Sequence, residues 1–129
     1  MIDILTLCLA LNIYFEARGE PIEGQFAVAE VTLRRAAISS KPVCVETFSD
    51  SQFSWTLNAD TAKIQNKNMW AQAQVVAQIA LVEPTHYSKG ATPFHSTTIR
   101  PRWSKQLCKV VTIGRHVFYK ECSHENATR

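Results

Sequence analysis

An almost unbroken apolar run, Ile4 to Phe15, ends on a carboxylate, Glu16, and then on Ala17-Arg18-Gly19-Glu20-Pro21. Ile4, Leu7, Cys8, Leu11 and Phe15 recur at three- and four-residue spacing, which predicts a buried helix whose last turn holds Glu16. Gly19 and Pro21 then interrupt the helical pattern. A carboxylate at a helix C-terminus meets the negative end of the helix dipole, and apolar neighbours oppose its ionisation as well. Both effects favour the protonated form, so Glu16 has the makings of a general acid. The same position also suits a plain salt bridge to Arg18 or to another Lys or Arg elsewhere in the chain, or the polar edge of the helix. Spacing alone leaves the two readings open.

Pro21 fits the first turn of a second helix, expected to run to about Ile38 with Ile22, Phe26, Ala29 and Leu33 on one face. Gly24 is costly inside a helix, and its presence points either to close approach by another backbone or substrate, or to a sharp turn. Ser39, Ser40 and Pro42 stop this helix, and Val43 to Phe48 reads as a linker or a short strand. Residues 49–60 are polar and loop-like, yet carry Phe53 and Trp55, aromatics that pin a loop to the core or stack on a ligand. A third helix is expected from about Asn68 to Val82, with Asn68 as its cap. Beyond Thr85 the texture turns irregular, with short strands. Cys108 to Tyr119 reads as a hairpin turning at Gly114-Arg115, with Phe118 in the core.

Three helices followed by a small antiparallel sheet make an α+β fold, and 129 residues suit one domain spanning 1–129. At 46% apolar and 19% charged the chain reads as globular. The formal charge of +3 is unevenly spread: residues 1–88 hold 6 basic and 9 acidic side chains, residues 89–129 hold 8 and 2. Lys89, Arg100, Arg102, Lys105, Lys109, Arg115 and Lys120 therefore form a set that attracts a polyanion. No nucleic-acid-binding pattern accompanies it, and nucleic acid is not the expected partner. The apolar run lacks a basic flank and contains Asn12, so no signal peptide is assigned; it is too short to span a bilayer.

Four widely spaced cysteines lack metal or redox spacing. Cys8 is expected as a small buried hydrophobe, with one disulfide drawn from Cys44, Cys108 and Cys122. His86 and His95 have no paired carboxylate nearby, so no metal and no cofactor is expected. Cys44 or Cys108 with His95 remains a formal thiol-enzyme alternative.

The string EARGEPIEGQFAVAEVTLRR, residues 16–35, resembles the opening motif of the SleB-type cell-wall hydrolases, the spore-cortex-lytic enzymes and related phage lysins. QFSW at 52–55, GATPFH at 90–95, PRW at 101–103 and IGRHVFY at 113–119 come after it in that family's order, so the resemblance covers roughly residues 10–119. It implies a fold like lysozyme and lytic transglycosylases, with Glu16 at the floor of a groove between helices and sheet. It further implies substrate contacts from Gln52, Ser54, Trp55, His95, His116 and Tyr119. Pro93 and Phe94 depart from the family, which tends to place His and Tyr there. The implied activity is cleavage of the β-1,4 bond between N-acetylmuramic acid and N-acetylglucosamine in peptidoglycan. Glu16 would act alone in a lytic transglycosylase, or with Glu20 or Glu23 as second carboxylate in a muramidase. A non-catalytic module holding an anionic wall polymer through Trp55, Trp103, Tyr119 and the basic third is the rival reading. The expected protein is a monomer acting on the cell wall, a phage lysin or catalytic module made in a host cytoplasm before release.

Overall fold

A computed structural model describes residues 3–48 and 64–122. Among these, helices α1 (Ile4–Ala17), α2 (Ile22–Ser39), α3 (Val43–Thr47) and α4 (Lys67–Val82) precede strands β1 (Phe94–Ser96), β2 (Cys108–Ile113) and β3 (His116–Lys120). The α+β order expected from the sequence is found. No described helix is long and apolar enough to cross a membrane.

Asp3 starts α1 by accepting from the Thr6 N–H at 2.9 Å, and the chain leaves α1 in extended geometry at Arg18. The buried face of α1 matches its spacing only in part: Cys8 and Leu11 are buried as expected, but the most enclosed residues are others. Leu9, Ala10, Ile13 and Tyr14 are fully enclosed, while Ile4 is 65% exposed and Phe15 half-buried. In a helix apolar on nearly every side, periodicity carries little direction, and packing by α2, α3 and α4 decides what is covered. Burying a side chain such as Leu9 stabilises the fold by roughly 1.5–3 kcal/mol. Asn12, also fully buried, accepts from the Thr32 hydroxyl at 2.7 Å, a polar tie between α1 and α2.

Helix α2 is the central layer. Ala29, flanked by half-buried Phe26 and Leu33, faces a cluster with α1 and α4, whereas Ala27, Val28 and Val31 face a second cluster with Ala17, Ala91 and Phe118. Small residues serve both faces because neighbours lie on both sides. Of the expected face of Ile22, Phe26, Ala29 and Leu33, Ala29 is fully buried, Phe26 and Leu33 are half-buried and Ile22 stands 38% exposed.

Val43–Thr47 is a helix rather than a linker or strand. Long-range ties hold it there: Cys8 is bonded to Cys44, and Glu46 is ion-paired with Arg35 at 3.5 Å. The cap of α4 is Asn66, not Asn68; its side chain accepts from the Met69 N–H at 3.0 Å.

The sheet order is β1-β3-β2, all antiparallel. Phe94 is paired with Phe118 and His95 with Val117, so Phe94 and Phe118 share the face toward α2. His95, Val117 and Tyr119 lie on the other face, joined by Lys109 and Thr112 from β2. A register shift between Lys109 and Val111 leaves Val110 as the extra residue. Cys108–Cys122 staples the open end of the β2–β3 hairpin. All four cysteines are therefore paired. Cys8 is a disulfide partner instead of a free hydrophobe, and no thiol remains for the cysteine–histidine alternative.

Candidate functional site

The corner between α1 and α2 is where the sequence placed its chemistry. Glu16 occupies the penultimate position of α1 and is half-buried. Beside it, Ala17 is enclosed in the cluster shared with Phe118, so the helix end lies on the inner side of the sheet. Arg18 folds back along α1. Its guanidinium lies 5.0 Å from the centre of the Tyr14 ring and its Nη1 donates to the Tyr14 oxygen at 2.9 Å. Arg18 thus turns toward an aromatic neighbour.

Tyr14 carries no signal in the sequence that sets it apart from the core. Fully buried, its oxygen also accepts from the N–H groups of Asn66 at 3.1 Å and Gln65 at 3.3 Å. Burial pushes the phenol pKa up, but these donors together outweigh it and hold the group below its ordinary value. Tyr14 thereby anchors the chain entering α4 to the turn before Glu16. A cleft of about 540 Å³ opens there, lined by Arg18, Gln65, Asn66, Lys67 and Asn68. Glu16 is two residues before Arg18 and is not itself a lining residue. The polar run Gln65-Asn66-Lys67-Asn68 was a legible signal, since so many amides ahead of an apolar helix suit a wet cleft wall.

Glu20 is committed elsewhere. Its side chain, 5% exposed, accepts from the Arg115 N–H at 2.7 Å and Arg115 Nε at 3.1 Å. The carboxylate thus clasps the tip of the β2–β3 hairpin. Gly114, at φ +56°, is the turn residue that allows this approach: a Cβ there would stand 2.5 Å from Glu20 Oε1 and 2.9 Å from Pro21 Cδ. At Gly24, inside α2, the close neighbour is a side chain rather than the backbone, substrate or sharp turn expected: a Cβ there would meet Ile113 Cγ2 at 3.3 Å. Glu23 is exposed in the first turn of α2, a position favoured by the helix dipole.

The three described members of the expected substrate set do not form one surface. His116 is on the inner face, edge-on to Phe94 at 5.0 Å, with Nδ1 3.6 Å from Glu20 Oε1, too long for a hydrogen bond. Burial lowers its pKa; the Glu20 carboxylate opposes that, and Arg115 and His95 add to it. His95 and Tyr119 stack on the opposite face at 5.2 Å. The His95 Nδ1–H donates to the Ser96 carbonyl at 2.7 Å, which leaves Nε2 to accept from the Tyr119 hydroxyl at 3.0 Å. Trp103 stands edge-on to both rings. Pairing register causes the separation: Ser96, not His95, is opposite His116. Gln52, Ser54 and Trp55 lie outside the described residues. His86 is exposed, and no metal-binding cluster occurs among the described residues.

Behind the site, Glu30 fixes the approach to β1. It accepts from Thr85 Oγ1 at 2.7 Å, Ser88 Oγ at 2.6 Å and the N–H groups of Tyr87 and Ser88. Burial raises its pKa, and these four donors more than reverse that.

Comparison with known proteins adds an independent line. The model of the Cell Wall Hydrolase family matches residues 19–119, a range that begins three residues after Glu16. Spore cortex-lytic enzymes of Bacillus cereus and Bacillus subtilis are each 31% identical, over 87% and 85% of this chain. The chain spans only 42% and 35% of their lengths. Among solved structures, the catalytic domain of the germination-specific lytic transglycosylase SleB from Bacillus anthracis superposes with a TM-score of 0.72 at 26% identity, covering 92% of this chain and 97% of that one. The catalytic domain of the Bacillus cereus SleB protein gives 0.72 at 25% identity, covering 93% of each. Matched by the family model over residues 19–119, most of its length, and superposing on solved SleB catalytic domains, the chain belongs to the cell wall hydrolase family.

Proposed function

We propose that this domain cleaves the β-1,4 bond between N-acetylmuramic acid and N-acetylglucosamine in peptidoglycan, as a lytic transglycosylase with Glu16 as its general acid and base. The observation that carries the reading is the position of Glu16 at the half-buried end of α1, inside a chain that matches a lytic transglycosylase catalytic domain along most of its length. Protonated Glu16 donates to the glycosidic oxygen as the C1–O bond breaks, and N-acetylglucosamine leaves as an alcohol. The 6-hydroxyl of the same muramic acid then bonds to C1 and returns its proton to Glu16. A 1,6-anhydro ring results, no water is consumed and the acid is regenerated. Holding the nucleophile in the same sugar has the advantage of proximity.

Support for a route without a second carboxylate comes from Glu20 and Glu23. The first is bound to the hairpin tip, the second is exposed in a capping position. Glu16→Gln should fold, bind wall glycan and lose nearly all clearing of a peptidoglycan suspension. Wild-type clearing rates in a folded Glu16→Gln protein would remove this assignment.

A further inference from the structure

The outer face of the sheet has no role in the cleavage scheme, yet it has the features of a binding site. A concavity of about 310 Å³ lies on it, lined by His95, Arg100, Lys105, Lys109 and Tyr119 among others. Register puts Lys109 opposite Tyr119 and His95 opposite Val117, all facing away from α2. The end of α1 that carries Glu16 packs on the inner side, through Ala17 and Phe118. The two sites are therefore on opposite faces of the sheet.

The chemistry of this face is one-sided. No acidic residue lines the concavity, and residues 89–120 contain seven Lys and Arg and no Asp or Glu. Arg100, Lys105 and Lys109 are exposed, and none has an ion pair among the described residues. The Tyr119 hydroxyl donates inward to His95, so that donor is already spent. Besides exposed Thr97 and Ile99, what remains toward solvent is a set of cationic donors, which suits an acceptor-rich ligand: carboxylate or phosphate. The floor is stiff. His95, Tyr119 and Trp103 pack ring on ring, and the Cys108–Cys122 bond closes the hairpin next to Lys109.

We infer that the outer face of the sheet is a second binding site, separate from the cleavage groove, for an oxyanion carried on a cell-wall glycan or polyol chain. Oxyanion binding follows from the concavity and its charge; the wall as the source of the ligand rests on the proposed function. The site would hold the enzyme on its polymer while Glu16 works on a neighbouring strand.

The test uses the whole chain and does not depend on turnover. Side-chain resonances of His95, Trp103 and Tyr119 are followed by NMR during titration with inorganic phosphate, glycerol phosphate polymer, a uronic acid oligomer and neutral N-acetylglucosamine oligomer. Saturable shifts are expected with phosphate or uronate and none with the neutral oligomer; which anion binds more tightly identifies the source. Arg100→Gln/Lys105→Gln/Lys109→Gln should weaken anion binding by about tenfold or more. Lys41→Gln/Lys89→Gln/Arg102→Gln, which removes the same charge from other exposed positions, should change it less than about twofold. Equal losses in the two triple variants, equal shifts from the neutral oligomer, or no saturable shift in the wild type would overturn the site. Tighter binding of a single-stranded oligonucleotide than of glycerol phosphate polymer at equal phosphate concentration would overturn the wall polymer as its ligand. Loss of cleavage in Glu16→Gln with anion binding intact keeps the two proposals separately decidable.

Discussion

Glu20 offers the sharpest separation between structural and chemical roles, because sequence proximity made it a candidate second carboxylate and the geometry binds it to the hairpin. Two contacts set the cost of removing it. The Arg115 N–H donates to Glu20 Oε1 at 2.7 Å, and a hydrogen bond to a charged acceptor contributes roughly 1.5–3 kcal/mol. The guanidinium contact at 3.1 Å comes from a side chain 74% exposed, so solvent screening limits it to about 0.2–1 kcal/mol. Glu20→Ala should therefore lose about 2–4 kcal/mol, and more of the hairpin's protection than of the helices'. Glu20→Gln keeps an oxygen for the Arg115 N–H and should lose about 1–2 kcal/mol. Against a total stability of about 5–15 kcal/mol, both proteins should still fold at room temperature. The assays are urea midpoints, with peptidoglycan cleavage normalised to folded protein. Expected is a stepwise fall in midpoint with specific activity within a few-fold of wild type for Glu20→Gln, and for Glu23→Gln wild-type specific activity with a loss of no more than about 0.3–1 kcal/mol from the helix dipole. A Glu20→Gln protein with wild-type midpoint and abolished cleavage would refute the structural assignment and restore a two-carboxylate mechanism.

Tyr14→Phe removes an acceptor shared by Arg18, Gln65 and Asn66 and should cost about 1–3 kcal/mol, read as a lower urea midpoint; an unchanged midpoint would show that water replaces the phenol without loss. Reducing both disulfides should destabilise the domain by about 3 kcal/mol for the 14-residue separation and about 4 kcal/mol for the 36-residue one in the chain-entropy picture, checked by denaturation with and without reductant. Stability should also fall on acidification in two windows. His116 has a folded pKa below its ordinary 6.5, so the unfolded chain takes up a proton first and stability drops as pH falls from about 6.5 toward the lowered value. Glu30, also lowered, contributes stability that is full above its ordinary 4.5 and is lost as pH falls through its folded value. His116→Gln should abolish the upper window in a pH series of thermal midpoints and leave the lower one.

How much of this was legible before the structure depends on the range of the interaction. Gly19 and Pro21 mark the α1–α2 corner in the sequence, and both helix boundaries fall within a residue or two of their expected positions. The buried faces were legible only in part: Cys8, Leu11 and Ala29 are buried as expected, but α1 is apolar on nearly all sides and α2 is covered on two. Helix α3 was unreadable for another reason: a five-residue segment rich in β-branched side chains owes its form to Cys8 and Arg35, distant in sequence. At the candidate site, the place of Glu16 at the end of an apolar helix made it a candidate, but only the family resemblance favoured a catalytic reading over a structural one. His95 and His116 could not be assigned to opposite faces without knowing which strand residues pair. Tyr14 looked like one more core aromatic, since nothing local foretells that Gln65 and Asn66 return to its hydroxyl.

The most direct test of the central claim is mass spectrometry of the fragment ends released from purified peptidoglycan in oxygen-18 water by the wild-type protein. Intramolecular attack by the muramic acid 6-hydroxyl predicts 1,6-anhydromuramyl ends without the label, absent when folded Glu16→Gln is used. Reducing muramic acid ends that carry oxygen-18 would contradict the account, because they require water as the nucleophile and a second group to activate it.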